Sequence, residues 1–497
     1  MQDKQISESP TITGTPSHSL PSNFPSDILL SIFEWTRILS AEEYHNVFTL
    51  DGAESKKVTH NYLSTRFPFS LAAVCRFWRA TALSTSWLWS RWNVNLVFKI
   101  QSLISIRSIL RTVHLLVLKA LRLSGDALLD FGLDIDFRAV RMSRDLSYFK
   151  WLDEYLPCIS ALFKVVETLS KQQRKWRSAR IIIFESNSDL QRTHNHKYTL
   201  LPEKLTSLEE LRIRCNTNLV YKQPTLVPSF SLLRHLEIVQ PDDYSKDSFL
   251  TFVDLEILQS VESLEELQIE FSSSSSLSGL PFDDADLPVI PVTKHKLRHF
   301  SLHISPYLPT EMMMGLNLRR WTCPNLETIT LSRVMLKNLR LFDVFLERNN
   351  SLVSVDIGFG DLIDGVDENK DVASVFISCL RKLPLITSLR VDMLRLTSIL
   401  IALTQKSGES FILVPRLKRI TFSNANARSE IFVDFIVSRW RSDGRSLREV
   451  KLVRCYEWCG RLRGVPALWC GGSSDPDTWA AVRQCREEGL EIYPREF

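Results

Sequence analysis

Glycine is scarce in this sequence, with 16 in 497 residues. Phosphate-cradling loops need glycines at fixed offsets, and neither G-x-G-x-x-G nor a P-loop pattern occurs. The nine cysteines are scattered, and none pair as C-x-x-C. Structural zinc needs tightly spaced ligands, so even Cys455, Cys459 and Cys470 predict no metal. An excess of one charge is also lacking, since 61 cations stand against 57 anions. That balance argues against nucleic acid or a membrane surface as the partner. The richest apolar run, ISIRSILRTVHLLVLKAL, contains Arg107, Arg111 and Lys119, so no membrane span is expected. The first twenty residues are polar and lack the apolar centre of a signal peptide. Free thiols without an export signal suit a cytoplasmic or nuclear protein. Neither G-x-S-x-G nor H-E-x-x-H appears. The HNH at His194 to His196 lacks supporting ligands nearby and reads as a polar loop. His299 and His303 would lie about 13 Å apart on one strand face, too far to share a metal easily. No enzyme activity and no cofactor are expected.

What is present is a repeat. From Leu208 the chain contains LEELRI, LRHLEI, LEELQI, LRHFSL, LETITL, LVSVDI, ITSLRV, LKRITF and LREVKL. These nine copies start 25 to 34 residues apart, and all read apolar-x-x-apolar-x-apolar. The last two apolar residues of each hexamer fall on one face of a short strand, with a polar residue between them facing out. One such strand cannot bury its apolar face alone. Stacking in parallel supplies a continuous core, with crossover helices on the back. The pattern therefore predicts an irregular leucine-rich-repeat solenoid. Asp247 to Leu258 and Ser429 to Trp440 read as two of its helices. At the far end TWAAVRQCREEGLEIY reads as a helix, a helix-ending Gly489 and a closing strand.

Ahead of the repeats, Ile28, Leu29, Ile32 and Phe33 recur at helical spacing after Pro25, Ser26 and Asp27, which suit a first helical turn. A polar stretch, about 36–66, reads as an insert. Helical signal returns at FPFSLAAVCRFWRATAL and again from about Ile100 to Leu123. Leu128 to Phe137 alternates as a strand, and Ile181 to Phe184 reads as a buried strand. The segment between them is largely helical, split by Pro157. Four tryptophans, Trp78, Trp87, Trp89 and Trp92, crowd into LAAVCRFWRATALSTSWLWSRW.

FPSDILLSIFEW followed by LAAVCRFWRATALSTSWLW resembles the F-box of fungal F-box proteins, particularly those of mushroom-forming fungi. Phe24-Pro25 stands where the family has Leu-Pro. Ile28, Leu29, Ile32 and Phe33 match its first-helix positions. Val74, Cys75, Arg76 and Trp78 match V-C-x-x-W, and Leu88 and Trp89 match the closing L-W. RLSGDALLDFGLDI and RKWRSARI resemble segments that follow the F-box in these proteins. The resemblance implies an α/β chain with an N-terminal helical F-box followed by the solenoid. It implies a non-catalytic substrate receptor of an SCF-type cullin–RING ubiquitin ligase, docked on the Skp adaptor and holding a protein substrate. The alternative is a leucine-rich scaffold or inhibitor that binds partners without a ligase.

The expected organisation is a tail at 1–19, an F-box at 20–95, a linking segment with first irregular repeats at 96–200, and the array at 201–497. Expected adaptor-docking residues are Phe24, Pro25, Ile28, Leu29, Ile32, Val74, Cys75, Trp78, Leu88 and Trp89. Trp78, Val74 and Cys75 are expected mainly in the helical core, and Leu88 and Trp89 at its docking edge. The outward strand positions form the expected substrate face. They include Glu210, Arg212, Arg214, Glu237, Glu266, Gln268, Glu270, His299, His303, Asp356, Arg390, Asp392, Arg419 and Lys451. Their alternating signs suit a protein better than a phosphate backbone, which would need a continuous basic stripe.

Overall fold

Every one of the nine hexamers is a strand of a single sheet in the computed structural model. The structure describes residues 25–43, 69–98, 103–137, 148–184, 205–215, 230–240, 261–271, 292–304, 321–334, 336–359, 368–393, 396–427, 429–442, 446–453, 456–457 and 476–493. The sheet has 13 strands, hydrogen-bonded in chain order. Three of them precede the hexamers: β1 (Arg91–Val97), β2 (Leu129–Asp136) and β3 (Trp176–Phe184). The hexamers give β4 (Glu210–Cys215), β5 (His235–Gln240), β6 (Glu266–Phe271), β7 (His299–Ile304) and β8 (Thr328–Val334). They continue as β9 (Ser354–Phe359), β10 (Ser388–Asp392), β11 (Arg419–Ser423) and β12 (Glu449–Val453), and β13 (Glu491–Tyr493) closes the row. All neighbours pair in parallel. The architecture is that of a leucine-rich-repeat-like solenoid.

The hexamer pattern explains this register. Its first, fourth and sixth residues are buried in every copy, as with Leu326, Ile329 and Leu331, each at most 1% exposed. The second residue carries a backbone ladder one step ahead of the strand. Arg298 N–H donates to Glu265 O at 2.9 Å, and Glu327 N–H to Arg298 O at 2.9 Å. Three residues before each of the first eight hexamers lies a further buried column: Leu205, Phe230, Val261, Lys294, Cys323, Asn349, Leu383 and Val414. Asn349 fits there by donating to Phe345 O at 2.7 Å and accepting from the Cys323 amide.

Among the described residues, four helices precede the sheet: α1 (Ser26–Glu43), α2 (Phe69–Val74), α3 (Arg76–Ser84) and α4 (Ser86–Trp89). The other described helices lie between strands: α5 (Leu103–Ser124), α6 (Tyr148–Ser170), α7 (Leu336–Arg348), α8 (Glu368–Arg381), α9 (Thr397–Thr404), α10 (Ser429–Trp440) and α11 (Pro476–Glu487). Ser429 to Trp440 is thus a helix as expected, whereas Asp247 to Leu258 lies outside the described residues. Gly489 takes φ +107° between α11 and β13, a conformation that side chains resist.

Three expectations are corrected. First, α1 runs to Glu43, into the stretch read as the 36–66 insert. Second, α6 passes through Pro157 unbroken. Tyr155, Cys158, Leu162, Val165 and Leu169 are all buried along it. Burial of roughly 1.5–3 kcal/mol per large apolar side chain outweighs one helix-interior proline at about 3 kcal/mol. Third, the sheet begins at Arg91, inside the segment assigned to the F-box. Trp92 on β1 stacks on Phe131 of β2 at 5.4 Å, and Phe131 meets Trp176 of β3 edge-on at 4.9 Å. Trp92 therefore starts the sheet's core.

The described residues form two hydrophobic cores. The larger runs between sheet and helices along the array. The smaller joins Leu29, Phe33, Leu71, Ala82, Leu88 and Trp89, with Trp78, Trp87 and Leu123 packed against it. Leu123 belongs to α5, so that helix links the N-terminal unit to the array.

Candidate functional site

The N-terminal unit and the sheet's outer face hold the candidate residues. In the unit, Cys75 separates α2 from α3, and its Sγ accepts from the Trp78 amide at 3.5 Å, capping α3. Arg79 Nε donates to Ala72 O at 2.8 Å and ties the two helices. Trp78 meets Phe33 of α1 edge-on at 5.4 Å. Trp89 Nε1 donates to Ala82 O at 2.7 Å. A buried indole needs a partner for its N–H, and this one has it within the unit.

The expected docking edge is therefore corrected. Leu29, Leu88 and Trp89 form the small core, each at most 1% exposed. Val74, expected in that core, is 52% exposed at the end of α2. Pro25 and Ile28 are exposed, while Ile32, Cys75 and Trp78 are half-buried. Phe24 lies outside the described residues. Sequence periodicity missed three further outward side chains: Trp35, 66% exposed, with Phe77 and Leu83. Trp35 follows Ile28 by seven residues, two turns along the same face of α1.

On the sheet, the third and fifth residues of each hexamer point away from the core. Glu210, His235, Glu266, His299 and Thr328 fall in one cross-strand row. Arg212, Glu237, Gln268, Ser301 and Thr330 fall in the next, which continues through Asp356, Arg390, Thr421 and Lys451. The face also extends over the first strands. Arg177 on β3 makes a two-armed pair with Asp130 on β2, and Arg180 faces Asp134 at 3.6 Å. The alternation in LDFGLDID was the signal for these residues.

Most charges on this face neutralise one another. Arg212 reaches Glu210 at 2.6 Å and Glu237 at 3.8 Å. Arg214 spans β5 to reach Glu270 at 3.2 Å, and Glu266 lies 3.1 Å from the His235 ring. Farther on, Arg390 pairs with Asp356 at 3.7 Å, and Lys451 with Glu449 at 2.6 Å. Asn424 donates to both Asp392 oxygens, at 2.9 and 3.0 Å. Burial pushes the Asp356 carboxyl up, while Arg390 and His303 pull it down. Arg419 is exposed at the C-terminal end.

Between the charged ends lies a hydroxyl-rich centre. His303 is held by Ser301 at Nε2 and Ser332 at Nδ1, both at 2.9 Å. His299, on the same face, is exposed. Among the described residues, no group of three or more His, Cys, Asp or Glu could hold a metal ion. No described helix is long and apolar enough to cross a membrane.

No protein-family model matches the chain, and a search of curated proteins finds no relative. Among solved structures, a crystal structure of a TLR13–ssRNA13 complex matches with 11% identity and a TM-score of 0.30. The match covers 74% of this chain and 42% of that one, so the chain spans less than half of that neighbour. At that TM-score the likeness supports no conclusion about ligand or partner. The fold assignment rests on the parallel sheet itself.

Proposed function

We propose that this chain is a substrate receptor of an SCF-type cullin–RING ubiquitin ligase. The observation that carries the reading is the exposed apolar set on the N-terminal unit. Ile28, Trp35, Val74, Phe77 and Leu83 are all substantially exposed around a core of six buried side chains. A helical unit this small buries little on its own, and such a face gains by packing on a partner helix. The V-C-x-x-W and L-W residues that resemble an F-box lie in the same unit, which makes the Skp adaptor the expected partner. The outer face of the sheet then takes a protein substrate. Its charges alternate and pair, unlike the unbroken basic stripe that a phosphate backbone requires. The chain supplies no chemistry in this scheme. It holds a target lysine near activated ubiquitin and so raises its effective concentration.

The test is binding of the purified full chain to a purified Skp adaptor by calorimetry. Ile28→Glu with Val74→Glu is expected to weaken binding at least tenfold without changing the thermal midpoint. Trp89→Ala is unsuitable as a docking test because it empties the small core. If the intact chain shows no adaptor binding, the ligase reading fails. The scaffold reading, protein binding without a ligase, then takes its place.

A further inference from the structure

We propose that the outer face of α5 docks an acidic amphipathic helix from a partner protein. This 22-residue helix contains no Asp or Glu. Its inner stripe is ordinary core, with Ile106, Leu110, Val113 and Val117 buried. Its outer stripe is not an ordinary solvated face. Ile104 is 75% exposed, Leu115 66% and Leu118 42%. Arg107, Arg111, Lys119 and Arg122 are exposed among them. From Ile104 to Arg122 the stripe runs about 27 Å at 1.5 Å per residue, five turns of one helix.

Charge decides the kind of partner. Surface helices usually set acids three or four residues from their cations. Here Arg107 and Arg111 are like-charged neighbours at i, i+4, and Lys119 and Arg122 at i, i+3. Among the described residues no ion pair reaches Arg107, Arg111 or Arg122. The outer face of the sheet differs, since Arg177, Arg212, Arg390 and Lys451 all have acids there. The α5 stripe thus combines exposed apolar side chains with three arginines, Arg107, Arg111 and Arg122, that lack counter-charges among the described residues. An amphipathic helix with Leu on one edge and Glu beside it complements both.

A flat anionic membrane fits less well. The neighbouring helix α6 exposes Glu167, paired with Lys171 at 2.8 Å. Asp126, just past α5, is also fully exposed beside Lys175 at 3.4 Å. A planar surface would press on these acids, whereas one helix laid along the stripe need not.

The experiment uses the full chain and two synthetic 18-residue helical peptides. One carries Leu on one edge flanked by Glu, and the other replaces every Glu with Lys. Fluorescence anisotropy is expected to show the acidic peptide binding at least tenfold tighter, and more weakly as salt rises. Arg107→Glu with Arg111→Glu should abolish that preference. Leu115→Ser with Leu118→Ser should weaken the acidic peptide at least tenfold. All four positions are exposed, and circular dichroism checks that the variants stay folded. Equal binding of both peptides, no binding of the acidic one, or binding that survives both double variants overturns the proposal. So does co-sedimentation with phosphatidylserine vesicles in the absence of peptide binding. The adaptor takes no part, so failure here leaves the ligase reading untouched.

Discussion

Lys294 occupies a column that neighbouring repeats fill with Val261 and Cys323. It is 2% exposed, and its Nζ donates to Val261 O at 2.9 Å. Burial pushes its pKa down to about 8, against a smaller upward pull from Cys323 and Glu262. The unfolded chain keeps that proton to about pH 10.5. Between those values the unfolded state binds more protons, so this residue's contribution makes stability rise with pH. Below pH 8 the folded protein carries a buried cation. Lys294→Met is therefore expected to stabilise the protein near pH 7 by about 1–3 kcal/mol. The gain should shrink as pH rises towards 10. Urea unfolding of both proteins at several pH values checks this, and a gap that stays constant would show that burial does not govern the amine. Arg439 is a second buried cation. It donates to Leu403 O, Leu413 O and Val414 O, stacks over the Phe411 ring at 3.8 Å, and burial lowers its pKa to about 9. Neither residue was legible in the sequence. A lysine or arginine reads as solvated until the fold supplies buried carbonyls for it.

At the level of elements, a helix or strand was legible wherever its own side chains fix its period. All nine hexamers were visible because three buried positions recur in each. Strands β2 and β3 were visible as strands in the segment of first irregular repeats but not as hexamer copies, although WRSARI fits the hexamer's spacing, with Trp176 and Ala179 standing where the later copies mostly carry leucine and all three of Trp176, Ala179 and Ile181 buried. β1 was missed entirely, because its Trp92 sits in a tryptophan-rich stretch that reads as helical. Direction was the hardest property to read in the N-terminal unit. Val74 and Trp89 are both apolar, and only tertiary packing turns one outward and the other in. The same competition explains α6. Pro157 removes one backbone donor and crowds the Asp153 carbonyl, yet the helix continues because both halves are anchored in the core. Pro157→Ala should restore that bond. We expect it to raise stability by about 1–3 kcal/mol, part of the usual proline penalty being already relieved by adjustment of the turn. Chemical denaturation measures it, and a destabilised variant would mean that the proline ring itself packs in the core.

The whole molecule is a row in which each repeat is stabilised mainly by its neighbours, so the ends carry special weight. At the C-terminal end, α11 and β13 cover what the last hexamer would expose. β13 pairs with β12 through Glu491, Ile492 and Tyr493. Val482, Cys485, Leu490 and Ile492 are buried there, and Trp479 meets Phe432 of α10 at 6.1 Å. Glu488 accepts from Trp440 Nε1 at 2.9 Å. β13 is only three residues long, and a short strand offers little edge for unwanted pairing. Removing residues 476–497 would uncover the edge of β12 together with Phe432, Trp440, Val450 and Leu452. That deletion should produce two effects that a uniform loss of stability would not. Hydrogen exchange should speed first in β11 and β12, while β2 to β6 keep their protection, because coupling falls off repeat by repeat. The shortened chain should also associate as its concentration rises, through the uncovered strand edge, as light scattering would record. If it instead stays monomeric and exchanges uniformly faster, stability is shared along the array and α11 with β13 is not its cap.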